Sequence, residues 1–389
     1  MLIFIPVNLE ASHRLRLIPD FMRLRAFFYL FLAAALLTSC GTTPAADAAR
    51  DRVSFVGLKN FSSFSKANGT NAEEIVLTSP EIKASINWDE LIVSWNVPTG
   101  VHLKVEARAI YPGHNTKYYI MSMWSDDPDH FPRESVRRQG DDDGTIKTDT
   151  LVLNKITDKV QLRLTIGGMN TNTPLKFLGL SFCNSKVPAE ALKPNRAAWG
   201  KTLEVPERRQ GEYEGGGGWC SPTSLSMDLA YWSDKLHRPE LNRTVPETAH
   251  AIDDGGWGGT GNWPFNTAYA GSYTGMRAYV TRLSDVAELE DWIAAGIPVI
   301  VSVSSYLTND RTSGQDNGHL ITCVGFDKNG DVVVNDPGVS VKRNVRARRI
   351  YAREKFVNAW KKSKNAVYLV YPDTATVPKD RFGHWDHGK

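Results

Sequence analysis

At 389 residues, 41% hydrophobic and 23% charged, with 31 Gly and 20 Pro, the chain has an ordinary globular composition that excludes low-complexity and collagen-like repeats. The length suggests two domains. The formal net charge of +3 includes four Arg set against Glu10 and Asp20 in the first 40 residues, which leaves +1 for the remainder and gives no support for a nucleic-acid partner.

From Met22 the chain reads MRLRAFFYLFLAAALLTSC, two arginines followed by an apolar run over 26–37 that is too short to span a bilayer and then by small residues. This predicts a signal peptide over 1–40 with translation starting at Met22. Leu37, Thr38, Ser39 and Cys40 resemble the bacterial lipobox, so Cys40 is the expected lipidation site of an exported lipoprotein of the cell envelope. Gly41 rather than Asp follows the cysteine, which implies the outer membrane in a Gram-negative cell. Residues 41–51 are small and polar and fit a tether.

Residues 52–185 read as strand after strand. Val101, Leu103, Val105, Ala107 and Ala109 alternate with polar neighbours, as do Val160, Leu162, Leu164 and Ile166, which predicts an antiparallel, jelly-roll-like β-sandwich. Trp88 and Trp95 share a face with other apolar residues and are expected in its core. His102, Lys104, Glu106, Arg108 and Arg163 form a polar face, expected to be solvated, to which a glycan or protein ligand could dock. Asp141, Asp142 and Asp143 before Gly144 lack calcium-loop spacing and read as a turn.

Residues 186–202 are Pro-rich and aperiodic and are expected to be a linker, so a fragment beginning near Lys201 should fold alone. Over 203–372 the pattern changes to α+β. Leu225, Leu229 and Trp232 mark a helix opened by Ser221 and Pro222; further helices are expected from Pro246 to Asp253 and, capped by Ser284, as far as Ala295. The runs PVIVSVSSY, HLITCVGF and DVVVNDP read as strands, Phe356 and Trp360 mark a last helix, and AVYLVYP a last strand. Residues 373–389 read as a frayed tail, His384 and His387 included.

Beyond Cys40 there are three cysteines, Cys183, Cys220 and Cys323, an odd number for an exported chain, so a free thiol is expected. Neither CxxC nor HExxH occurs, and no metal or cofactor is expected. Cys220 stands at the start of a helix, where unpaired N–H groups favour the thiolate, and Gly215 to Gly218 before it leave the sulfur accessible. Cys183 and Cys323 read as buried packing residues. A nucleophilic thiol needs a base, for which His319 at the head of a β-rich run is the candidate. If the loop 327–330 joins strands paired from Phe326 to Asp331, residue 319 faces 338 and Asp336 lies on the same face, able to orient the imidazole; a loop one residue different would reverse that face.

The segments VPERRQ, GGGGWCSPTSLSMDLAYW, GNWPFNTAYA, GHLITCVGF and NDP occur in the order seen in the peptidase C39-like family of papain-like cysteine peptidases, which residues 203–371 resemble. The resemblance implies a cysteine peptidase with Cys220 as nucleophile, His319 as general base, Asp336 as orienter and Gln210 as side-chain donor to the oxyanion. Ser221 departs from the family's usual Gly. Gly256, Gly258 and Gly261 spell GxGxxG, but Pro264 is expected to block a following helix, so dinucleotide binding is rejected. Trp219, Trp257, Trp263 and Phe265 are expected to shape a cleft wall, with at least two aromatics of this region packed in the core. The expected function is an exported, lipid-anchored, monomeric thiol hydrolase cleaving peptide or isopeptide bonds through an acyl-enzyme. The alternatives are a catalytically silent binding lipoprotein and a thiol amidase or acyltransferase acting on cell-wall amides.

Overall fold

Alternation builds the N-terminal half strand by strand. In the computed structural model, residues 50–386 are described apart from 72, 169–174, 310–315 and 317. The signal peptide, Cys40 and His387 lie outside the described residues. Ten strands follow in order: β1 (Val53–Leu58), β2 (Ser65–Asn68), β3 (Ile75–Thr78), β4 (Ile82–Asn96), β5 (Val101–Tyr111), β6 (His114–Asn115), β7 (Tyr119–Trp124), β8 (Gly144–Lys147), β9 (Thr150–Gly168) and β10 (Phe177–Cys183). All pair antiparallel in the order β1-β10-β4-β9-β3-β2, with β5 and β8 also on β9 and β6 and β7 on β5. The alternating apolar residues of β5 and β9 turn inward with Trp88 and Trp95, both fully buried. The polar face of β5 and β9 is partly solvated, as expected, and its side chains are also paired with one another. Arg163 makes two hydrogen bonds to Glu106, Arg108 binds Gln161, and both guanidinium groups lie over the Tyr118 ring. Asp141 accepts the backbone N–H groups of Asp143 and Gly144, closing the expected turn.

In the C-terminal half a second antiparallel sheet runs β12 (Met276–Arg282), β17 (Ala366–Pro372), β13 (Val299–Val303), β14 (His319–Phe326), β15 (Val332–Asn335) and β16 (Arg348–Tyr351), with β11 (Lys201–Thr202) on β14. Helices α1 (Cys220–Leu236), α2 (Val245–Ile252), α3 (Trp263–Ser272), α4 (Val286–Ala294) and α5 (Arg353–Trp360) accompany it. Helix α1 is clasped to β14 by Ser224 Oγ donating to the Leu320 carbonyl and Thr322 Oγ1 donating to the Ser224 carbonyl.

Four local expectations change. Helix α3 exists because Pro264 stands at its first turn, where a missing N–H costs nothing, and Asn262 caps it. Helix α4 is capped by Asp285, whose side chain accepts from Ala287, while the Ser284 N–H donates to Glu288. The end of the expected linker is docked: Asn195 and Trp199 both donate to Glu290, and Lys201–Thr202 adds a strand to the sheet. The tail is also docked, with His384 fully buried on Glu288 at 2.9 Å and Trp385 buried in the core, because these aromatic side chains have apolar and acidic sites to fill.

The two halves share their cores. Residues Leu91, Val93 and Trp95 of β4 face the sandwich interior, while Ile92 joins the other core. From the same strand Ser94 and Asn96 reach the edge strand β12. Asn96 Nδ2 donates to the Ala278 carbonyl at 2.7 Å, and the Ala278 and Val280 N–H groups donate to Asn96 and Ser94. Ile252, Phe265 and Ala268 of the second half are buried in the sandwich core. Burial on both faces is why β4 carries the run ELIVSW. The described residues of 50–386 accordingly form one compact unit.

Candidate active site

A left-handed Gly215, with φ 74°, turns the chain into a short 3-10 turn over Gly216–Gly218 that delivers Cys220 to the first turn of α1. No side chain caps α1; Pro222 has no N–H, the Thr223 N–H donates to the Trp219 carbonyl and the Ser221 N–H faces the Cys220 sulfur, which leaves the Cys220 N–H at the helix start for an anion. Cys220 is half-buried. Burial raises its thiol pKa, but a hydrogen bond and charge from His319, together with the N–H groups of Leu320 and Ser221, outweigh this and hold it below the ordinary value.

His319 opens β14 and is buried, with Nε2 2.8 Å from Asp336 Oδ1 and a second hydrogen bond between the ring and Cys220. Burial opposes its protonation, yet Asp336 and Cys220 together push its pKa up to about 10. Asp336 is fully buried and accepts from His319, from Tyr351 OH at 2.8 Å and from the Gly338 N–H at 2.9 Å. Desolvation raises its pKa, and these three donors bring it below the usual carboxylate range. Cys220, His319 and Asp336 thus form one hydrogen-bonded series whose shifts favour a thiolate beside an imidazolium and an ionised carboxylate.

The register behind this geometry has a compensated error. The turn between β14 and β15 is one residue longer than expected, pairing Phe326 with Val332, and an irregularity between Cys323 and Gly325 takes the residue back. Thr322 therefore faces Asn335 as the loop count predicts, and Asp336 falls on the side of His319. Gly338 then lies against the imidazole, where a Cβ would come within 2.9 Å of His319 Cε1 and 3.1 Å of Nε2. Gly338→Ala is expected to displace the ring and slow Cys220 alkylation at mildly acidic pH at least tenfold while the thermal unfolding midpoint moves little; an unchanged alkylation rate would show that the ring has room.

Gln210 sits in the same cluster, its N–H on the Pro337 carbonyl at 3.0 Å, but its side-chain Nε2 donates to the Gly217 carbonyl at 3.0 Å. That bond uses one of the two Nε2 hydrogens and leaves the other for an oxyanion. Ser221 is buried with Oγ on Asn266 at 2.8 Å and Tyr368 OH at 2.9 Å, so the hydroxyl that replaces the family's glycine hydrogen has partners inside the protein. Among the expected wall residues, Trp257 is 44% exposed and covers Gly259 and Gly261. Trp219 and Trp263 are half-buried, Trp219 edge-on to His250. Phe265 is not wall at all: it is fully buried against Trp95 and Trp124 in the shared core, since it lies on the face of α3 turned toward the sandwich. Cys183 and Cys323 are fully buried and unbonded to each other. Asn266, Tyr368 and Tyr351 were not singled out from sequence, although a buried serine hydroxyl beside the thiol required partners of this kind.

Residues 202–368 match the profile of the Peptidase C39 like family, and residues 45–180 that of the Peptidase C39 N-terminal domain. Residues 202–368 belong to the peptidase C39-like family. Among solved structures, one described as a C39-like peptidase from Bacillus anthracis is 20% identical with a TM-score of 0.33, covering 44% of this chain and 98% of that one. No curated protein matches the chain. For the C39-like domain, membership points to a cysteine peptidase-type function.

Proposed function

We propose that this C39-like chain is an exported cysteine peptidase that cleaves peptide or isopeptide bonds through an acyl-enzyme, held at the membrane by a lipid on Cys40. The observation that carries the catalytic part is the hydrogen-bonded line from Cys220 through His319 to Asp336. A nucleophile-bearing helix packed on the antiparallel strand that carries its base is the papain-like arrangement, and it supports the α+β reading of this half.

The chemistry follows from the positions. The Cys220 sulfur attacks the scissile carbonyl carbon, forming a C–S bond while the carbonyl oxygen takes the negative charge beside the Cys220 N–H and the Gln210 amide. As the C–N bond breaks, the His319 nitrogen facing the sulfur gives its proton to the leaving amine. Water then attacks the thioester carbonyl carbon, His319 takes its proton, and the acid leaves as the thiolate is restored. Asp336 keeps the ring oriented and stabilises the imidazolium.

Incubation of the full mature chain with a mixed peptide library, read by mass spectrometry, is expected to yield new termini with wild type and none with Cys220→Ala. Products that persist in the variant, or a wild type that releases none, would contradict the peptidase reading and leave the silent binding lipoprotein. Metabolic palmitate labelling separates the anchoring step: it is expected in wild type and lost in Cys40→Ser, and equal labelling would contradict a lipid on Cys40.

A further inference from the structure

The sandwich reaches toward the Cys220 site through polar contacts to one loop. That loop, residues 253–262, leads into α3 and carries the exposed Trp257. From the sandwich, the buried Arg133 donates to the carbonyls of His250 at 2.6 Å and Asp253 at 2.9 Å, and the Ser135 N–H donates to Asp254 Oδ1 at 2.8 Å. The Arg133 carbonyl in turn accepts from the Gly255 N–H at 3.0 Å. Just before β9, the buried Asp149 takes the Trp263 N–H on Oδ2 at 2.9 Å and the Thr150 hydroxyl on Oδ1 at 3.0 Å. Trp263 is the first residue of α3, so a carboxylate from the other half holds an N–H that the helix itself leaves unpaired.

From the loop the bonds continue to the nucleophile. Asp254 also accepts from Asn262 Nδ2, and Asn266 of α3 donates to the carbonyls of Thr260 and Asn262. Asn266 Oδ1 accepts from Ser221, the residue after the nucleophile, and Thr260 Oγ1 donates to the Gly218 carbonyl, two residues before it. Cys220 is thus gripped on both sides by groups whose own positions depend on the sandwich. The N–H of Ser221 is one of the groups that favour the thiolate, so displacement of this segment alters the sulfur's acidity.

We infer that Asp149 and Arg133 of the β-sandwich are positioning residues of the Cys220 site, making the N-terminal domain part of the hydrolase rather than an appended module. The inference rests on Cys220 being the nucleophile. Asp149→Asn keeps an oxygen acceptor for the Trp263 N–H, whereas Asp149→Ala removes it, so the pair separates this bond from general packing.

In the full mature chain, the pH profile of Cys220 alkylation by iodoacetamide and the hydrogen exchange of residues 216–222 are measured together, with circular dichroism confirming the fold. In Asp149→Ala, alkylation at pH 6 is expected to slow at least tenfold, its profile to move to higher pH, and exchange to rise in 216–222 as well as in 254–266. Asp149→Asn is expected to stay within about twofold of wild type. A folded Asp149→Ala with wild-type profile and exchange at 216–222, or an Asp149→Asn as impaired as Asp149→Ala, overturns the inference. If Asp149→Ala does not fold, Arg133→Met takes its place with the same two readouts and the same contradicting result. Where wild-type Cys220 is itself no more reactive than Cys183 and Cys323, the peptidase reading fails, while exchange at 216–222 still decides whether the sandwich holds the segment.

Discussion

A fragment that begins at Lys201 is expected not to yield a stable monomer, in contrast to what its Pro-rich approach suggests. Removing the sandwich would strip cover from Ile252, Phe265 and Ala268, which are fully buried in the sandwich core. Each large apolar side chain returned to water costs about 1.5 to 3 kcal/mol, against a total stability of about 5 to 15 kcal/mol for a typical domain. It would also uncover β12, the edge of the C-terminal sheet, whose Ala278 and Val280 backbone groups are satisfied by Asn96 and Ser94. An uncovered apolar edge strand recruits other chains. The buried Arg282, paired with Glu90 at 2.9 Å, would lose its partner as well. Size-exclusion chromatography and thermal melting are expected to show aggregation or a non-cooperative transition. A monomeric fragment melting within a few degrees of the full mature chain would show that the interface contributes little.

His319→Ala is expected to abolish the reactivity of Cys220 at mildly acidic pH. In wild type the thiolate is held by the imidazolium and two backbone N–H groups. Without the cation, desolvation dominates and the thiol returns to at least the ordinary range near 8.5, where only about 1% is ionised at pH 6.5. Alkylation at pH 6.5 should therefore fall by about 100-fold or more and recover only in alkaline solution. Asp336→Asn, which loosens the ring without removing it, is expected to cost less. Stability should carry the same signature. Because the folded pKa of His319 lies near 10, above its ordinary 6.5, its contribution is complete below about pH 6.5 and is lost as pH rises through about 10. Asp336 is shifted the other way, so its contribution is present above the ordinary carboxylate pKa and is lost as pH falls through its depressed folded value. A melting temperature whose alkaline decline is identical in wild type and His319→Ala would contradict this assignment.

The pieces of the site that follow from local rules were legible in sequence. A cysteine behind four glycines at a helix start, and a histidine and aspartate brought together across a hairpin, need only capping and register to be placed. Even so, the register survived because an irregularity near Val324 offset the longer turn, a compensation that counting residues cannot foresee. Helix α3 is hidden because Pro264 reads as a breaker, whereas it stands at the helix start. Phe265 reads as cleft wall because its aromatic character does not say which core it enters. Nothing local marks Asp149 and Arg133 as site residues: their partners in the C-terminal half lie more than 100 residues away and are reached only once two sheets have packed. The docked tail, with His384 on Glu288, was hidden for the same reason.

The central claim is that Cys220 alone among the folded chain's described thiols is held as a thiolate. Cys183 has its thiol pKa raised, chiefly by burial, and Cys323 is pushed up to about 12, also chiefly by burial. Brief iodoacetamide treatment of the folded wild-type chain at pH 6, followed by mass-spectrometric mapping, is therefore expected to modify Cys220 almost completely before Cys183 or Cys323 is touched. Equal, slow modification of all three would contradict the account.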